Sequence, residues 1–357
     1  MHRIITSELL PNLINNNFCI LKIRLINTIF SIIILCSFFT FQYAQNINNT
    51  SSSIISNWIS LGLQDERILN IEIDRLNPEV IYAGSYADFS AGKVGYIFKT
   101  TNNGTTWDTL YAGISVADID INPKNNNMLF ACCSPNALTQ YGILKTTDAG
   151  ETWVWADSGI TTITWEVGPT LLEFSPNLDS IIYVVISGAY PGGFYKSINY
   201  GEFWQGIGIN THLWDGVITI AINPHNDNEI YCGTIWNGFH LRSSDQGNTW
   251  NSTNLSNVYA SVLYNGFNQY DTTKVFASGW GYTYAGLQYS TNLGENWIRI
   301  GEHLPYNGGG TKNIKFVKRE LGTQIFLLDS GLVFTGFDFD SLKLVDGISQ
   351  FHPVWEF

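Results

Sequence analysis

Cysteine and positive charge are both scarce in this chain. Of five cysteines in 357 residues, Cys19 and Cys36 fall in the first 44, leaving Cys132, Cys133 and Cys232. Three is an odd number, and they sit on apolar, strand-like runs (MLFACC, EIYCG). That pattern excludes a disulfide framework and makes no zinc site. They read as buried thiols, with a bridge from Cys132 or Cys133 to Cys232 as the alternative. Lys and Arg number 18 against 30 Asp and Glu, a net charge of −12. Nothing in that balance offsets phosphate repulsion, so nucleic acid and anionic membrane surfaces are excluded as partners. No stretch sustains a helical apolar period, which excludes an α-rich fold. No His/Asp/Glu metal cluster, nucleophile constellation or phosphate-cradling loop is present, and no cofactor is expected.

What the chain has instead is one phrase written five times. TTNNGTTW (Thr100 to Trp107), TTDAGETW (Thr146 to Trp153), SINYGEFW (Ser197 to Trp204), SSDQGNTW (Ser243 to Trp250) and STNLGENW (Ser290 to Trp297) recur every 46–51 residues. A period of that size marks propeller blades or solenoid units. Each octamer follows an apolar run and reads as a turn between two strands. Asp148 and Asp245, or the amides of Asn102, Asn199 and Asn292, are placed to accept backbone N–H groups across the turn. Gly104, Gly150, Gly201, Gly247 and Gly294 supply positive φ. Trp107, Trp153, Trp204, Trp250 and Trp297 begin the next strand and bury a large ring beneath it.

The octamer resembles the Asp-box (BNR) repeat of sialidases, sortilin-type propellers, xyloglucan-degrading endoglucanases and photosystem II assembly factor-like proteins. The resemblance covers about residues 57 to 335 and implies that the box is a structural staple remote from any catalytic centre. Enzymatic relatives fit poorly. Sialidases hold a carboxylate with three arginines, whereas this chain beyond residue 44 has Arg67, Arg75, Arg242, Arg299 and Arg319 in unsuitable positions. The glycine-run motif that opens xyloglucan-degrading relatives is absent, as is the arginine-rich patch of the assembly factors.

The rest of each repeat supplies a first strand ending at a proline (VADIDINP, TLLEFSP, VITIAINP), a second carrying an aromatic, and a third entering the octamer. Four short strands per unit make a β-propeller blade. The expected fold is therefore all-β: a propeller of six four-stranded blades, with seven as the alternative. The sixth unit (Asn313 to Val317, Gln324 to Leu328, Gly331 to Phe334) shows no box and no fourth strand. Trp58 to Leu63 reads like a post-box strand and is expected to complete it, removing the open edge. Residues 1–44 are expected to be a signal peptide: Lys22 and Arg24 precede the apolar run Leu25 to Phe41, with Ala44 at the cleavage point. Residues 45–56 follow as a polar linker, 57–340 as the propeller and 341–357 as a tail. The expected product is secreted, periplasmic or at the cell surface, and monomeric, with no membrane contact once the signal is removed.

A binding site is expected on the loops opposite the boxes, which are rich in exposed aromatics. Tyr190, Trp165, Trp214, Trp236, Trp280 and Tyr282 are the candidate ligand-binding residues, suited to stacking on sugar rings or gripping an extended peptide. Glu166 and Asp215 each follow a Trp and are expected at equivalent positions on neighbouring blades. They are the candidates for acid and base in a glycosidase. Asp74, Asp120 and Glu173 form a second acidic set on the first strands, where burial would demand partners. The reading that results is a non-catalytic recognition or scaffold module for a glycan or protein ligand. The alternative is a glycoside hydrolase.

Overall fold

The computed structural model describes residues 61–88, 92–134, 142–161, 167–188, 193–208, 216–235, 239–253, 255, 261–280, 287–300, 311–319, 322–329, 332–336, 338–339 and 342–344, together with the strand pairing of 22–24, 39–40 and 57–58. Among the described residues there are six sheets with four consecutive antiparallel strands each. Their first strands are Ile68–Ile73, Ser115–Ile121, Val167–Phe174, Val217–Asn223, Ser261–Asn268 and Thr311–Arg319. These first strands pack against one another in chain order. Each carries a β-bulge at the matching place: Ile68/Asn70, Val116/Asp118, Pro169/Leu171, Val217/Thr219, Val262/Tyr264 and Thr311/Asn313. A bulge adds twist and bends its strand, and here the bend repeats with the blade. No helix among the described residues is long and apolar enough to cross a membrane.

The core lies in the seams between sheets. Val80, Tyr82 and Ile97 of the first sheet meet Ile119, Leu129 and Ala131 of the second. Phe130 and Cys132 of the second meet Leu172, Ile182 and Trp204 of the third. Tyr183 and Phe194 of the third meet Ile222, Ile230 and Cys232 of the fourth. The three cysteines are free and buried in three different seams, so the alternative bridge does not form. Burial pushes the Cys133 and Cys232 thiols up, which keeps them protonated and inert.

Two sets of polar contacts fasten the seams. The turns after successive first strands are linked from sheet to sheet. Asn126 donates to Asp74 Oδ2 (2.7 Å), Asn122 to the Asp179 carbonyl (3.1 Å), Asn177 to the Pro224 carbonyl (3.1 Å) and Gln269 to the Phe316 carbonyl (3.0 Å). The His225 Nε2 contact with the Gln269 carbonyl (3.2 Å) joins the fourth and fifth sheets. The second set explains the Lys that precedes several octamers. Tyr82 and Lys99 both donate to the Ala149 carbonyl in the next octamer (3.1 and 2.9 Å), and Tyr183 and Lys196 do the same to Gln246 (3.1 and 2.9 Å).

The closing strand differs from expectation. Lys343–Leu344 fills the fourth place of the sixth sheet, pairing Thr335 with Lys343 and Phe334 with Leu344. Asn57–Trp58 instead pairs with Phe39–Thr40. The reason is a shortened turn: Gly336, paired with Ile325, takes the Ser/Thr place, Thr335 takes the place of the preceding Lys, and buried Leu342 leads into the fourth strand. That turn delivers the chain directly into its own fourth strand, so the sheet extends past residue 340 into what was expected to be tail. Near the N-terminus, Lys22–Arg24 pairs in parallel with Ile68–Ile73, within the segment expected to be a leader.

Candidate functional site

In an antiparallel sheet the turns fall at two ends, and the two ends of these sheets differ in chemistry. At one end lie the octamers. Thr146 Oγ1 accepts the Gly150 N–H at 3.0 Å and donates to Asp148 Oδ1 at 2.7 Å. Asp148 then accepts the backbone N–H and the hydroxyl of Thr152, at 2.9 and 2.6 Å. Ser243, Asp245 and Thr249 repeat this network. Asn102, Asn199 and Asn292 keep its backbone bonds through their amide oxygens. The residue before each glycine is also left-handed: Asn103, Ala149, Tyr200, Gln246 and Leu293 have φ of 54°, 57°, 57°, 59° and 60°. Two successive positive-φ residues turn the backbone N–H groups inward onto the Ser/Thr and Asp/Asn side chains. Sequence reasoning assigned positive φ to the glycine alone.

These bonds have a consequence for acid stability. Hydrogen bonds from Thr152, first its hydroxyl and then its N–H, with a further one from Thr146, hold the Asp148 carboxyl down at about 2. Asp245 is lowered by the same kind of partners, led by the Thr249 hydroxyl. A carboxyl depressed in the folded state contributes stability above its unfolded pKa of roughly 3.9, and loses it as pH falls through the folded value. The wild-type melting temperature should therefore fall more steeply between about pH 4 and pH 2 than that of Asp148→Asn. Parallel slopes over that interval would show that the carboxyl contributes nothing.

The other end carries the loops that hold the candidate ligand-binding residues. Trp165 and Glu166 immediately precede Val167–Phe174, and Trp214 and Asp215 precede Gly216 and Val217–Asn223. Tyr190 lies between Ile182–Gly188 and Gly193–Ser197, and Trp236 between Asn226–Thr234 and His240–Ser243. Tyr282 follows Asp271–Trp280, whose last residue, Trp280, pairs with Ser261. Chain direction brings the described strands that flank these segments to the end opposite the octamers. Trp165, Glu166, Tyr190, Trp214, Asp215, Trp236 and Tyr282 themselves lie outside the described residues, and Trp280 is described by its backbone alone.

The acids on the first strands are engaged in holding the sheets together. Asn70 donates to Asp118 Oδ1 at 2.6 Å and accepts the Ile119 N–H at 3.2 Å. Asp118 accepts the Leu172 N–H at 2.9 Å, and Asp120 accepts the Phe174 N–H at 3.0 Å. The three bonds to backbone N–H groups each run from a side chain on one sheet to the outer edge of the next first strand, which has no strand beside it in its own sheet. Asp74 caps its own turn, accepting the N–H groups of Leu76 and Asn77 at 2.8 and 3.2 Å. Glu173 is half-buried on the third first strand. Asn70 and Asp118 escaped sequence reasoning, although their place two residues before Glu72 and Asp120 was the available signal. Among the described residues no group of three His, Cys, Asp or Glu side chains is arranged to hold a metal.

No family profile matches the chain. The chain is 24% identical over 196 residues to a probable oligoxyloglucan-reducing end-specific xyloglucanase of Neosartorya fischeri, covering 52% of this chain and 23% of that protein. An ancestral GH74 enzyme superposes with a TM-score of 0.60 at 16% identity, over 78% of this chain and 37% of that one. YCF48 from Cyanidioschyzon merolae superposes with a TM-score of 0.54 at 14% identity, over 80% of this chain and 86% of that one; YCF48 has also been solved bound to D1 peptide. The chain folds as a β-propeller. It spans less than a quarter of the curated relative and well under half of the GH74 enzyme, and at these identities the likeness establishes the fold alone. Within that fold, the propeller neighbours include both hydrolases and YCF48.

Proposed function

We propose that this propeller is exported and acts as a non-catalytic recognition or scaffold module, taking a glycan or an extended peptide on its aromatic loop end. In this reading the octamers are Asp boxes with a structural role and the six sheets are blades. One observation carries it: the polar groups of the octamer end and the acids of the first strands are spent on internal hydrogen bonds, which leaves the opposite end of the sheets as the place for a ligand. Aromatic faces suit stacking on pyranose rings or peptide planes. The relatives are consistent with either ligand, one being named for xyloglucan chemistry and another solved with a peptide.

Hydrolysis is the second reading, favoured by the name of the curated relative. The two readings separate on the mature protein with a glycan array, a peptide array and a reducing-sugar assay on xyloglucan. Recognition predicts saturable binding without release of reducing ends. Trp165→Ala, Trp214→Ala and Trp236→Ala should each weaken it by about 1 kcal/mol, or roughly fivefold. Glu166→Gln and Asp215→Asn should leave binding nearly intact. Turnover abolished by either amide substitution would replace this reading with the glycosidase, because such groups act mainly in the transition state. Unchanged binding in all three tryptophan variants would place the ligand elsewhere.

A further inference from the structure

The third octamer differs from the other four in what it presents to solvent. The second and seventh places of every octamer are exposed, and the fourth is exposed or half-buried. In the other four octamers these places hold Thr, Ser, Asn, Gln or Ala, with Leu293 as the one large apolar side chain. In the third they hold Ile198, Tyr200 and Phe203, which are 67%, 38% and 55% exposed. The turn gains no side-chain bond from Phe203. Thr152 and Thr249, in the same place, each donate a hydroxyl to their octamer's aspartate at 2.6 Å, and Phe203 has no hydroxyl to give.

These side chains stand on a braced surface. A Cβ on Gly159 would fall 2.9 Å from two carbons of the Phe203 ring, so the ring rests on the link that follows the second sheet. Tyr200 has φ of 57°; its N–H donates to the Ser180 carbonyl at 3.1 Å and its hydroxyl reaches Asp179 Oδ2 at 3.5 Å. The same turn exposes Leu178 at 41%. An apolar patch therefore runs from the link to this turn, at the octamer end of the sheets. Its border is acidic. Asp157 lies two residues before Gly159, and Asp227 accepts the Asn177 N–H at 2.9 Å, next to Leu178. Lys124 stands 3.9 Å from Asp179 and Lys145 pairs with Glu202, which among the described residues leaves Asp157 and Asp227 without a cation.

We propose that this patch docks a cationic protein segment, one that sets an apolar side chain against Tyr200 and Phe203 and Lys or Arg beside Asp157 and Asp227. Charge and area select that occupant. A net charge of −12 repels an acidic partner and draws a basic one. Four such side chains expose on the order of a few hundred Å², short of the roughly 800 Å² per partner that a stable dimer of this chain would bury. Ile198 and Leu178 offer no ring face to a sugar. Because the backbone beneath is already fixed, docking orders little, and a small interface suffices. The patch is separate from the loop end and does not depend on what binds there.

Ile198→Ser, Tyr200→Gln and Phe203→Thr together give the third octamer the outer residues of the fourth, Ser244, Gln246 and Thr249. Made in the full chain, this triple variant should melt no lower than wild type. A lower melting temperature would show that the three side chains serve the fold, and overturns the proposal. The binding probes are fluorescent peptides with leucine and phenylalanine anchors spaced either by lysine and arginine or by glutamate. Anisotropy should show saturable binding of the basic set alone, weakened by roughly tenfold or more in the triple variant and weakened by added salt. Equal binding to wild type and variant, no binding of the basic set, or binding of the glutamate set each overturns it. So does dimerisation in sedimentation that the variant abolishes, which assigns the patch to a second copy. Binding of xylo-oligosaccharides that the variant loses overturns it too, by assigning the patch to a glycan.

Discussion

Replacing Trp204 by alanine should cost about 3–5 kcal/mol and lower the melting temperature by roughly 5–10 °C, the largest effect expected from any octamer residue. Trp204 is fully buried, at 0% exposure, between the second and third sheets. Its ring meets Phe130 edge-on at 6.4 Å, and its Nε1 donates to the Ala156 carbonyl at 2.7 Å. Alanine therefore removes the aromatic area, opens a cavity and takes the donor from a partly buried carbonyl. Trp204→Phe separates these terms. It keeps most of the ring and loses the hydrogen bond, so it should cost about 1–3 kcal/mol. Trp153 makes a useful comparison because it is half-buried and its Nε1 has no partner among the described residues. Its alanine variant should lose less than that of Trp204. Denaturant midpoints with unchanged slopes are the measurement. A Trp204→Ala protein as stable as wild type would mean the octamer Trp is not the staple described here.

The contrast between Trp204 and Asp118 shows which parts of the structure were legible in the sequence. A phrase repeated five times exposes whatever every blade needs locally, and the Ser/Thr, Asp/Asn, Gly and Trp of the octamer all have local jobs. The Lys before the octamer was visible as a pattern, but its purpose was not, because Lys99 and Lys196 bond to carbonyls about 50 residues away in the next repeat. The sixth turn was hidden because Gly336 takes the Ser/Thr place, no Trp precedes the fourth strand, and the turn is one residue shorter than the octamers. The loop residues are harder in kind. Loops carry function on a scaffold that does not dictate their sequence, so the repeat that reveals the blades says nothing about the ligand.

Asp118→Ala should be nearly as damaging as Trp204→Ala, at about 3–4 kcal/mol, although it removes only a small polar side chain. Asp118 is fully buried and its two oxygens serve two neighbours, Asn70 Nδ2 at 2.6 Å in the first sheet and the Leu172 N–H at 2.9 Å in the third. Without it, two buried donors are left without their acceptor. Asp118→Asn keeps one acceptor but turns an N–H₂ toward a donor, so about half the loss should remain. The decisive variant is Asn70→Asp, which sets a second carboxylate against the first. Two carboxylates at that spacing cannot both be ionised in a buried site, so one of them takes up a proton and its pKa rises above the unfolded value. A pKa raised in the folded state gives stability that is present at low pH and lost as pH rises through the folded value. The Asn70→Asp protein should therefore be strongly destabilised at pH 7 and regain stability relative to wild type as the pH falls toward about 4. That trend is opposite in sign to the one expected of Asp148. Equal destabilisation at both pH values would show that Asn70 and Asp118 do not meet in the seam.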